Sequence, residues 1–409
     1  MPKICMYFQV HQPYRLRNFR IFDIGTKDSY FETSSDTDLN NKRVFNKVAE
    51  KCYLPANKMF LKLLKKYPEF KISYSLSGVF MEQAEEFMPE VLESFQELAA
   101  TGQVEILSET YYHSLSFLHS KSEFKSQIEL HKKKIKEVFD VTPKIFRNTE
   151  LIYNDEIGKI VEELGYKGIL AEGADKILHD RSPNFLYKAH GTKDLKLLLK
   201  NYKLSDDIAF RFSEKSWSEY PLTAGKYGSW IKCLDGNAEI VNLFMDYETF
   251  GEHQWEDSGI FKFLEKFPEE IFKSSDNSFL TPSEAVKTLE AHDSLSFPYY
   301  ISWADTERDL SAWYSNPIQK DAMEKLFLIE RQILGSHNQQ IIQDWRRMTT
   351  SDHFYYMCTK YFADGDVHKY FNPYDTPYDA FITFMNILND IQLRLGVKEI
   401  ANEKAGTPN

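Results

Sequence analysis

The 409-residue chain carries 50 Lys and Arg residues against 61 Asp and Glu residues, which gives a net charge of −11 at pH 7. This length predicts two or three domains or one large barrel, with a core sufficient to fold without disulfides or a structural metal. The negative charge excludes a nucleic acid or an anionic membrane as the expected partner, because phosphates would be repelled over most of the surface.

The cysteines and the N-terminal segment indicate the cellular compartment of the protein. Four cysteines lie far apart without a C-x-x-C pair, a pattern typical of a reducing compartment. The apolar run at the N-terminus ends at Gln9 and is too short for the core of a signal peptide. No segment approaches the ~18 consecutive apolar residues that span a bilayer. We therefore expect a cytoplasmic protein.

Seven short apolar segments before residue 247 have the composition of β-strands, and helical segments lie between most of them. The predicted strands are residues 4–10, 71–77, 104–108, 144–147, 168–171, 208–212 and 239–246. Residues 89–100 and 126–139 repeat apolar side chains on one helix face. Strands that alternate with helices are typical of parallel pairing. We therefore predict an α/β fold with a distorted or partly open seven-stranded barrel.

After about residue 277 the pattern becomes helical, without further alternation of strands and helices. Thr281 can cap a helix that starts at Pro282. Residues 316–334 and 378–395 also have helical periodicity. We predict a catalytic barrel at residues 1–280 and a helical domain at residues 281–409 that packs on the barrel and contributes to its site.

Polar side chains follow several predicted strands at the point where each strand ends. They are His11, Gln12, Glu109, His113, Glu150, Asp246, Glu248 and His253. Because the carboxyl ends of barrel strands meet on one face, we expect these side chains to converge. The combination of carboxylates and histidines suits chemistry on a polar, uncharged substrate.

Glycoside cleavage is one reaction that such a set allows. It requires two carboxyl groups at the scissile bond, one as the acid and the other as the nucleophile or base. Glu150 and Asp246 are candidates, although each also has a structural interpretation. Glu150 could offset a helix dipole, and Asp246 could cap a helix.

Metal chemistry is the main alternative. The chain has no H-E-x-x-H motif, and His113 and His119 are six residues apart, which puts them on different faces of a helix. A metal site built from His11, Asp246 and distant histidines stays open. The glycines form neither G-x-G-x-x-G nor a P-loop, and G-x-S-x-G is absent, so nucleotide binding and serine-hydrolase chemistry have little support.

At these same positions the sequence resembles glycoside hydrolase family 57, the α-amylase and 4-α-glucanotransferase family. Five segments similar to the family motifs occur in order. They are HQP at 11–13, GQVEI at 102–106, FRNTE at 146–150, DYETFG at 246–251, and WAD at 303–305 continuing to RDLSAW at 308–313. The resemblance extends to residues 351–356.

The resemblance implies a (β/α)7 barrel followed by a helical domain, and a retaining mechanism on α-glucans without metal or organic cofactor. It implies that Glu150 is the nucleophile, that Asp246 is the general acid/base, and that His11 binds the sugar at the cleaved bond. Trp303 and Asp305, in the fifth motif, are expected to bind substrate. The full set expected to bind substrate is His11, Gln12, Glu109, His113, Glu248, His253, Trp303, Asp305, Asp352 and His353.

Two positions depart from the family pattern. Many members carry Trp three residues before the nucleophile, where this chain has Arg147, and the fifth motif often continues as AWLGN, where this chain has AWYSN at 312–316. Both departures bear on acceptor and chain-length preference, and neither removes a catalytic carboxylate.

The predicted function is a retaining hydrolase of α-1,4-glucans, of the α-amylase type. A 4-α-glucanotransferase would use the same carboxylates and differ only in the second acceptor, a sugar hydroxyl instead of water. A metal-dependent carbohydrate deacetylase and a non-catalytic glucan-binding protein are the alternatives from other classes.

Overall fold

The computed structural model describes residues 2–27, 29–31, 33–35, 37–274, 278–362 and 372–396. Nine strands occur among them: β1 (Lys3–Val10), β2 (Ile72–Leu76), β3 (Val104–Ile106), β4 (Ile145–Arg147), β5 (Gly168–Glu172), β6 (Tyr187–Ala189), β7 (Lys196–Lys200), β8 (Ile240–Asp246) and β9 (Asp293–Leu295). β1, β2 and β5 are buried almost throughout, as expected for parallel strands covered on both faces.

Seven strands pair in parallel in the order β3-β2-β1-β8-β7-β5-β4. The two ends of this order are joined, because Ser108, just after β3, forms a parallel bridge with Phe146 of β4. The N–H of Arg147 donates to the carbonyl of Ser108 over 2.8 Å as part of that bridge. The sheet therefore closes, and the predicted seven-stranded barrel is confirmed. It is distorted where β7 meets β8 at the single register pair Lys200 and Asn242.

Helices cover the barrel and fill the C-terminal part of the chain. The α-helices among the described residues are α1 (Asn41–Val48), α2 (Leu54–Lys66), α3 (Gly78–Phe87), α4 (Pro89–Ala99), α5 (Lys121–Phe139), α6 (Asp155–Glu163), α7 (Asp175–Leu178), α8 (Tyr202–Ala209), α9 (Ala224–Lys232), α10 (Ile260–Phe272), α11 (Pro282–Thr288), α12 (Pro317–Leu328), α13 (Glu330–Gly335), α14 (Gln339–Met348), α15 (Ser351–Tyr355) and α16 (Pro377–Arg394). None of the helices described is long and apolar enough to cross a membrane.

A cluster of aromatic rings fixes the chain directly after Asp246. The ring of Tyr247 packs 5.5 Å from that of Phe8 on β1 and 5.1 Å from that of Tyr74 on β2. The Tyr247 hydroxyl donates to the side-chain oxygen of Asn57 over 2.6 Å. Because this side chain is fully buried and hydrogen-bonded, the backbone that carries Asp246 has little freedom at the end of β8.

By its contacts the chain divides into two compact units. Unit 1 comprises residues 1–12, 45–113 and 122–310, and unit 2 comprises residues 13–44, 114–121 and 311–409. The barrel belongs to unit 1. Unit 2 contains residues from both sides of the predicted boundary at residue 281, so the two units and the two predicted domains are different divisions of the chain. The predicted boundary, and the predicted contribution of the helical domain to the site, stay predictions.

Unit 2 is built mainly from α12 to α16. The indole N–H of Trp345 on α14 donates to the carbonyl of Leu326 on α12 over 2.9 Å. The rings of Phe354 on α15 and Phe384 on α16 lie 5.6 Å apart. Aromatic packing and a satisfied buried indole therefore join its helices.

One predicted strand is wrong. Residues 208–212 do not form a strand, because Asn201 caps α8 by accepting a hydrogen bond from the N–H of Leu204 over 3.1 Å. Ile208 and Ala209 are the last two residues of α8, and the chain leaves the helix at Phe210. The strand of this region is β7, whose three consecutive leucines have no alternation to reveal it.

The expectation of a purely helical pattern after residue 277 is also wrong at one place. β9, only three residues long, pairs with β6 in parallel. A segment this short carries no readable periodicity. The predicted helix start at Thr281 is confirmed, since its hydroxyl accepts from the N–H of Glu284 in a capping box.

Candidate active site

Glu150 lies on a strained turn just beyond β4. Its φ of 57° and the φ of 51° at Leu151 fall in the left-handed region that non-glycine residues rarely adopt. The side-chain N–H of Asn148 donates to the carbonyl of Ile152 over 2.9 Å, and the backbone N–H of Trp303 donates to the carbonyl of Glu150 over 3.2 Å. The surrounding structure thus holds this conformation in place, a feature that clusters at functional sites.

Two donors orient the Glu150 carboxylate. The indole N–H of Trp303 donates to Oε2 over 2.7 Å, and Nε2 of His113 lies 3.4 Å from Oε1. The side chain is still 21% exposed. One edge of the carboxylate is therefore fixed by the protein while part of the group stays accessible to a ligand.

His113 lies between two carboxylates. Its Nδ1 is 2.8 Å from Oε2 of Glu109, and its Nε2 faces Glu150. Since ionised carboxylates only accept hydrogen bonds, both ring nitrogens carry a proton in this arrangement. Burial would lower the pKa of His113, but the hydrogen bonds to Glu109 and Glu150 raise it to about 9. Burial would likewise raise the pKa of Glu109, yet His113 lowers it to about 2.

A buried polar chain supports Glu109 from inside the barrel. The side-chain N–H of Gln9 donates to Oε1 of Glu109 over 2.9 Å. The side-chain oxygen of Gln9, Oε1, accepts hydrogen bonds from the hydroxyl of Tyr7 over 2.8 Å and from the hydroxyl of Ser75 over 2.9 Å. These hydroxyls fix which end of the Gln9 amide faces Glu109. The position of His113, and through it Glu150, therefore depends on residues deep in β1 and β2.

A second buried histidine next to Glu109, His131, is uncharged, in contrast to the protonated His113. Nδ1 of His131 accepts the backbone N–H of Glu109 over 3.2 Å, and its Nε2 donates to the carbonyl of Leu76 over 2.8 Å. Because an N–H can only donate and a carbonyl can only accept, this ring is neutral. Burial lowers the pKa of His131 in agreement with that assignment.

His11, at the end of β1, stacks on His113 with the ring centroids 4.1 Å apart. Its Nδ1 lies 2.7 Å from the hydroxyl of Ser77, the residue that caps α3. The imidazole of His11 is only partly buried. This predicted substrate-binding residue therefore lies beside the histidine that contacts Glu150 and keeps surface available for a ligand.

Asp246, the last residue of β8, lies opposite Gln9 in the register of β8 and β1. Burial and the negative charge of Glu150 raise the pKa of Asp246 to about 6, and the cations Arg147 and Lys200 limit the rise. Within the described ranges no side chain or backbone N–H donates a hydrogen bond to its carboxyl group. The two carboxyl groups therefore differ, because Glu150 has donors that favour its ionised form and Asp246 lies in a setting that favours its protonated form.

Two buried cations flank the indole that binds Glu150. The guanidinium of Arg147 lies 4.8 Å from the ring centroid of Trp303, and the ammonium of Lys200 lies 5.3 Å from it. Both side chains are almost fully buried. Among the described residues the Arg147 guanidinium has no hydrogen-bond partner, so its contact with the indole and its charge are its main interactions.

An ion-pair cluster supports the loop that carries Trp303. Nη1 of Arg308 lies 3.2 Å from Oε2 of Glu172, at the end of β5, and the ammonium of Lys200 lies 2.9 Å from Oδ1 of Asp206. Burial raises the pKa of Glu172 to about 7, and the nearby Lys200 and Arg308 oppose that rise. Arg308 also has a left-handed φ of 50°, which these contacts help to maintain.

Three predicted substrate-binding residues lie around the turn after β8. The hydroxyl of Tyr53 donates to Oε1 of Glu248 over 2.5 Å, and the side-chain N–H of Gln12 donates to that hydroxyl over 3.1 Å. Burial raises the pKa of Glu248 to about 8. His253, whose N–H donates to the carbonyl of Glu248 over 2.9 Å, has its pKa lowered by burial to about 4. Their contacts support the turn, and their binding of substrate stays a prediction.

The remaining predicted residues lie elsewhere. Asp305 is partly buried in the loop after Trp303, with a φ of 53°. Asp352 and His353 lie on α15 in unit 2, where Nε2 of His353 donates to the carbonyl of Arg347 over 3.1 Å. Substrate binding by all three stays a prediction. In the part of the chain that the structure describes, no three His, Cys, Asp or Glu side chains are grouped as metal ligands would be.

Several residues that build this site are not among the predicted ones, and Gln9, Lys200, Glu172 and Arg308 lie near the predicted carboxylate and tryptophan positions or support them directly. Gln9 gives no signal because it lies inside the apolar strand β1. Lys200 gives none because its strand, β7, is not among the predicted strands. Glu172 ends β5, and Arg308 lies within the fifth motif. A charged residue that ends a continuous apolar run, as Lys200 and Glu172 do, is the signal that could have identified two of them.

Comparison with known sequences gives consistent results. The model of Glycosyl hydrolase family 57 matches residues 5–302. A protein of Methanocaldococcus jannaschii named "Putative alpha-amylase" is 46% identical over 400 residues, which cover 95% of this chain and 84% of that protein. The alpha-amylase of Pyrococcus abyssi is 26% identical over 217 residues, which cover 52% of this chain and 33% of that enzyme.

Solved structures share the fold. A family 57 branching enzyme of Thermococcus kodakaraensis gives a TM-score of 0.67 at 13% identity, with 96% of this chain and 90% of that chain covered. The 4-alpha-glucanotransferase of Thermococcus litoralis gives a TM-score of 0.61 at 18% identity, with 96% of this chain and 59% of that chain covered. At such low identity these similarities establish the architecture only.

The charge of His113 can be tested by NMR on protein labelled in its histidine rings. Because the pKa of His113 is raised to about 9, its ring should stay protonated from pH 6 to 8 and lose its proton only near pH 9. The His131 ring, with a lowered pKa, should stay neutral over the same range and serves as the internal control. The NMR signal of the His113 ring is identified as the one that is missing from the spectrum of the His113→Gln variant. A His113 ring that titrates near the ordinary value of about 6.5 would contradict the ion pair.

Proposed function

Because the chain belongs to glycosyl hydrolase family 57, we propose that it is an α-amylase-type enzyme that cleaves α-1,4-glucans with retention of configuration. Glu150 is the nucleophile and Asp246 the general acid/base. The observation that carries this assignment is the difference between the two carboxyl groups. Glu150 receives hydrogen bonds from Trp303 and His113, whereas burial and the charge of Glu150 raise the pKa of Asp246 to about 6. Such a difference separates a nucleophile from an acid.

In the first step Glu150 attacks the anomeric carbon while the bond to the glycosidic oxygen breaks. Asp246 gives its proton to that oxygen, and the shortened glucan leaves. The indole N–H of Trp303 holds Oε2 of Glu150 at 2.7 Å, whereas His113 lies 3.4 Å from Oε1, so Oε1 is the less tightly held oxygen and the one that attacks. The product of this step is a glycosyl ester on Glu150 with inverted configuration.

The second step depends on the negative charge that Glu150 loses when it becomes an ester in the first step. Once Glu150 is an ester, its negative charge no longer raises the pKa of Asp246, while Arg147 and Lys200 still lower it. Asp246 is then ionised and acts as the base that takes a proton from water. The water oxygen bonds to the anomeric carbon, Glu150 departs as a carboxylate, and the second inversion restores the α configuration.

Transfer to a sugar hydroxyl is the second candidate function. A 4-alpha-glucanotransferase of Thermococcus litoralis is 25% identical over 150 residues, which cover 37% of this chain and 23% of that enzyme. The same two carboxyl groups would serve, since only the acceptor of the second step differs. The two candidates predict different products.

The test is incubation with maltoheptaose, with oligomer lengths and reducing ends followed over time. Shorter products with rising reducing ends are expected for the hydrolase. Longer and shorter products at constant reducing ends would establish the transferase instead. Glu150→Gln and Asp246→Asn should each lower turnover by about 10²-fold to 10⁴-fold. Near-normal turnover in both variants would show that these residues are not catalytic.

Trp303→Phe tests the hydrogen bond to the nucleophile. Phenylalanine keeps an aromatic ring beside the two cations but has no N–H for Glu150. Since a hydrogen bond to a charged group contributes roughly 1.5–3 kcal/mol, we expect kcat on maltoheptaose to fall by about 10-fold to 100-fold. Trp230→Phe on α9 is the matched control and should retain kcat. Equal kcat values for the two variants would show that the indole does not position Glu150.

A further inference from the structure

An open groove lies in unit 1 between α2, α10 and the loop that follows β8. Its volume is about 920 Å³, within the usual range of ligand sites. Its lining includes Pro55, Met59 and Lys62 of α2, Phe261 of α10 and Trp255 of the loop. None of these residues is among those described above around Glu150 and Asp246.

The indole of Trp255 is 61% exposed, yet the chain around it is fixed. The preceding side chain, Gln254, is buried and donates to the carbonyl of Ala209 over 2.9 Å. Gly251 has a φ of 116°, and a Cβ there would lie only 2.0 Å from the carbonyl oxygen of Lys51. The loop therefore packs against the segment before α2 as closely as glycine allows, and it holds a large aromatic face towards solvent.

The groove is lined by charges of both signs. Lys51, Lys58 and Lys62 contribute ammonium groups, and Glu50, Glu256 and Asp257 contribute carboxylates. Two of the ammonium groups are also ion-paired, Lys62 with Glu265 over 2.6 Å and Lys51 with Glu252 over 3.7 Å. An anionic ligand would face the carboxylates and a cationic ligand the ammonium groups, so a neutral ligand fits best. Such a ligand also needs hydroxyl groups for both kinds of partner and an apolar face for the indole. A glucose ring meets these requirements.

We propose that this groove is a second carbohydrate site, which holds a stretch of the α-glucan chain away from the bond being cleaved. The inference rests on the proposed function, because that function supplies the ligand. The ammonium of Lys51 lies over the Trp255 ring, 5.7 Å from its centroid, so Trp255 stacks on a sugar ring with its other face. Lys58 and the carboxylates of the groove bind the hydroxyls of that sugar. Gly251 of the groove follows Asp246 by five residues in the chain, so one loop serves both sites. The groove then strengthens binding of long chains and has no part in the bond cleavage itself.

The test compares Trp255→Ala with Trp230→Ala, a half-buried tryptophan on α9 outside the groove, on long and short substrates. Each change is placed in the Glu150→Gln background, and binding is measured by retardation in gels that contain glycogen. We expect Trp255→Ala to weaken glycogen binding about tenfold and Trp230→Ala to leave it unchanged. With Glu150 intact, Trp255→Ala should keep kcat/KM on maltotetraose within about twofold and lose about tenfold on glycogen.

The double change Glu256→Ala with Asp257→Ala is a second, independent probe and should weaken glycogen binding in the same direction. Glycogen binding by Trp255→Ala equal to that of its background would overturn the second site. An equal loss of activity on maltotetraose and glycogen would also overturn it, because it would place Trp255 in the reaction centre. A protein with Glu150 intact that leaves every α-glucan uncleaved would overturn the proposed function instead, and glycogen retardation would still report on the groove.

Discussion

The positive charge of His113, held between Glu109 and Glu150, is the interaction on which the site depends. Glu109 and Glu150 both contact the His113 ring, and the negative charge of Glu150 also acts on Asp246, so without a cation between them Glu109 and Glu150 would repel one another. The imidazolium is hydrogen-bonded to both and stabilises their ionised forms. Among the described residues the third carboxyl group, that of Asp246, has no such hydrogen-bond donor, and burial and the charge of Glu150 raise its pKa to about 6, so it holds its proton to a higher pH than an ordinary aspartate. The hydrogen bonds of His113 and Trp303 to Glu150, which Asp246 does not receive, thus give two similar side chains different chemistry.

The barrel makes this arrangement possible by joining residues that are distant in sequence. The bridge between Ser108 and Phe146 closes the sheet, and Glu109 follows Ser108 directly while Glu150 follows Phe146 by four residues. Gln9 belongs to the strand that pairs with β8, the strand that ends in Asp246. Closure of the sheet therefore does more than stabilise the core, since it determines which side chains meet. The strained turn at Glu150 is then held by the loop of Trp303, in which Arg308 forms an ion pair with Glu172.

Much of this could be predicted from sequence, because parallel strands place their last residues on one face. Glu150, Asp246 and His11 were predicted on that ground and on the motifs. The strand β7 was missed because its three leucines show no alternation, and Lys200 was missed with it. Charge states were beyond the sequence, since the protonation of His113 depends on distances to Glu109 and Glu150. The exposure of Trp255 likewise depends on how closely Gly251 approaches Lys51, which no local pattern reveals.

The most direct test of the account is the stereochemistry of azide rescue. Glu150→Gly and Asp246→Gly would each be given an aryl α-maltoside and sodium azide, and the anomers of the glycosyl azide would be identified by NMR. In Glu150→Gly, azide replaces the missing nucleophile and attacks once, so the β-azide is expected. In Asp246→Gly, azide attacks the glycosyl ester on Glu150, so the α-azide is expected. The opposite pair of anomers, or the same anomer from both variants, would contradict the roles assigned to Glu150 and Asp246.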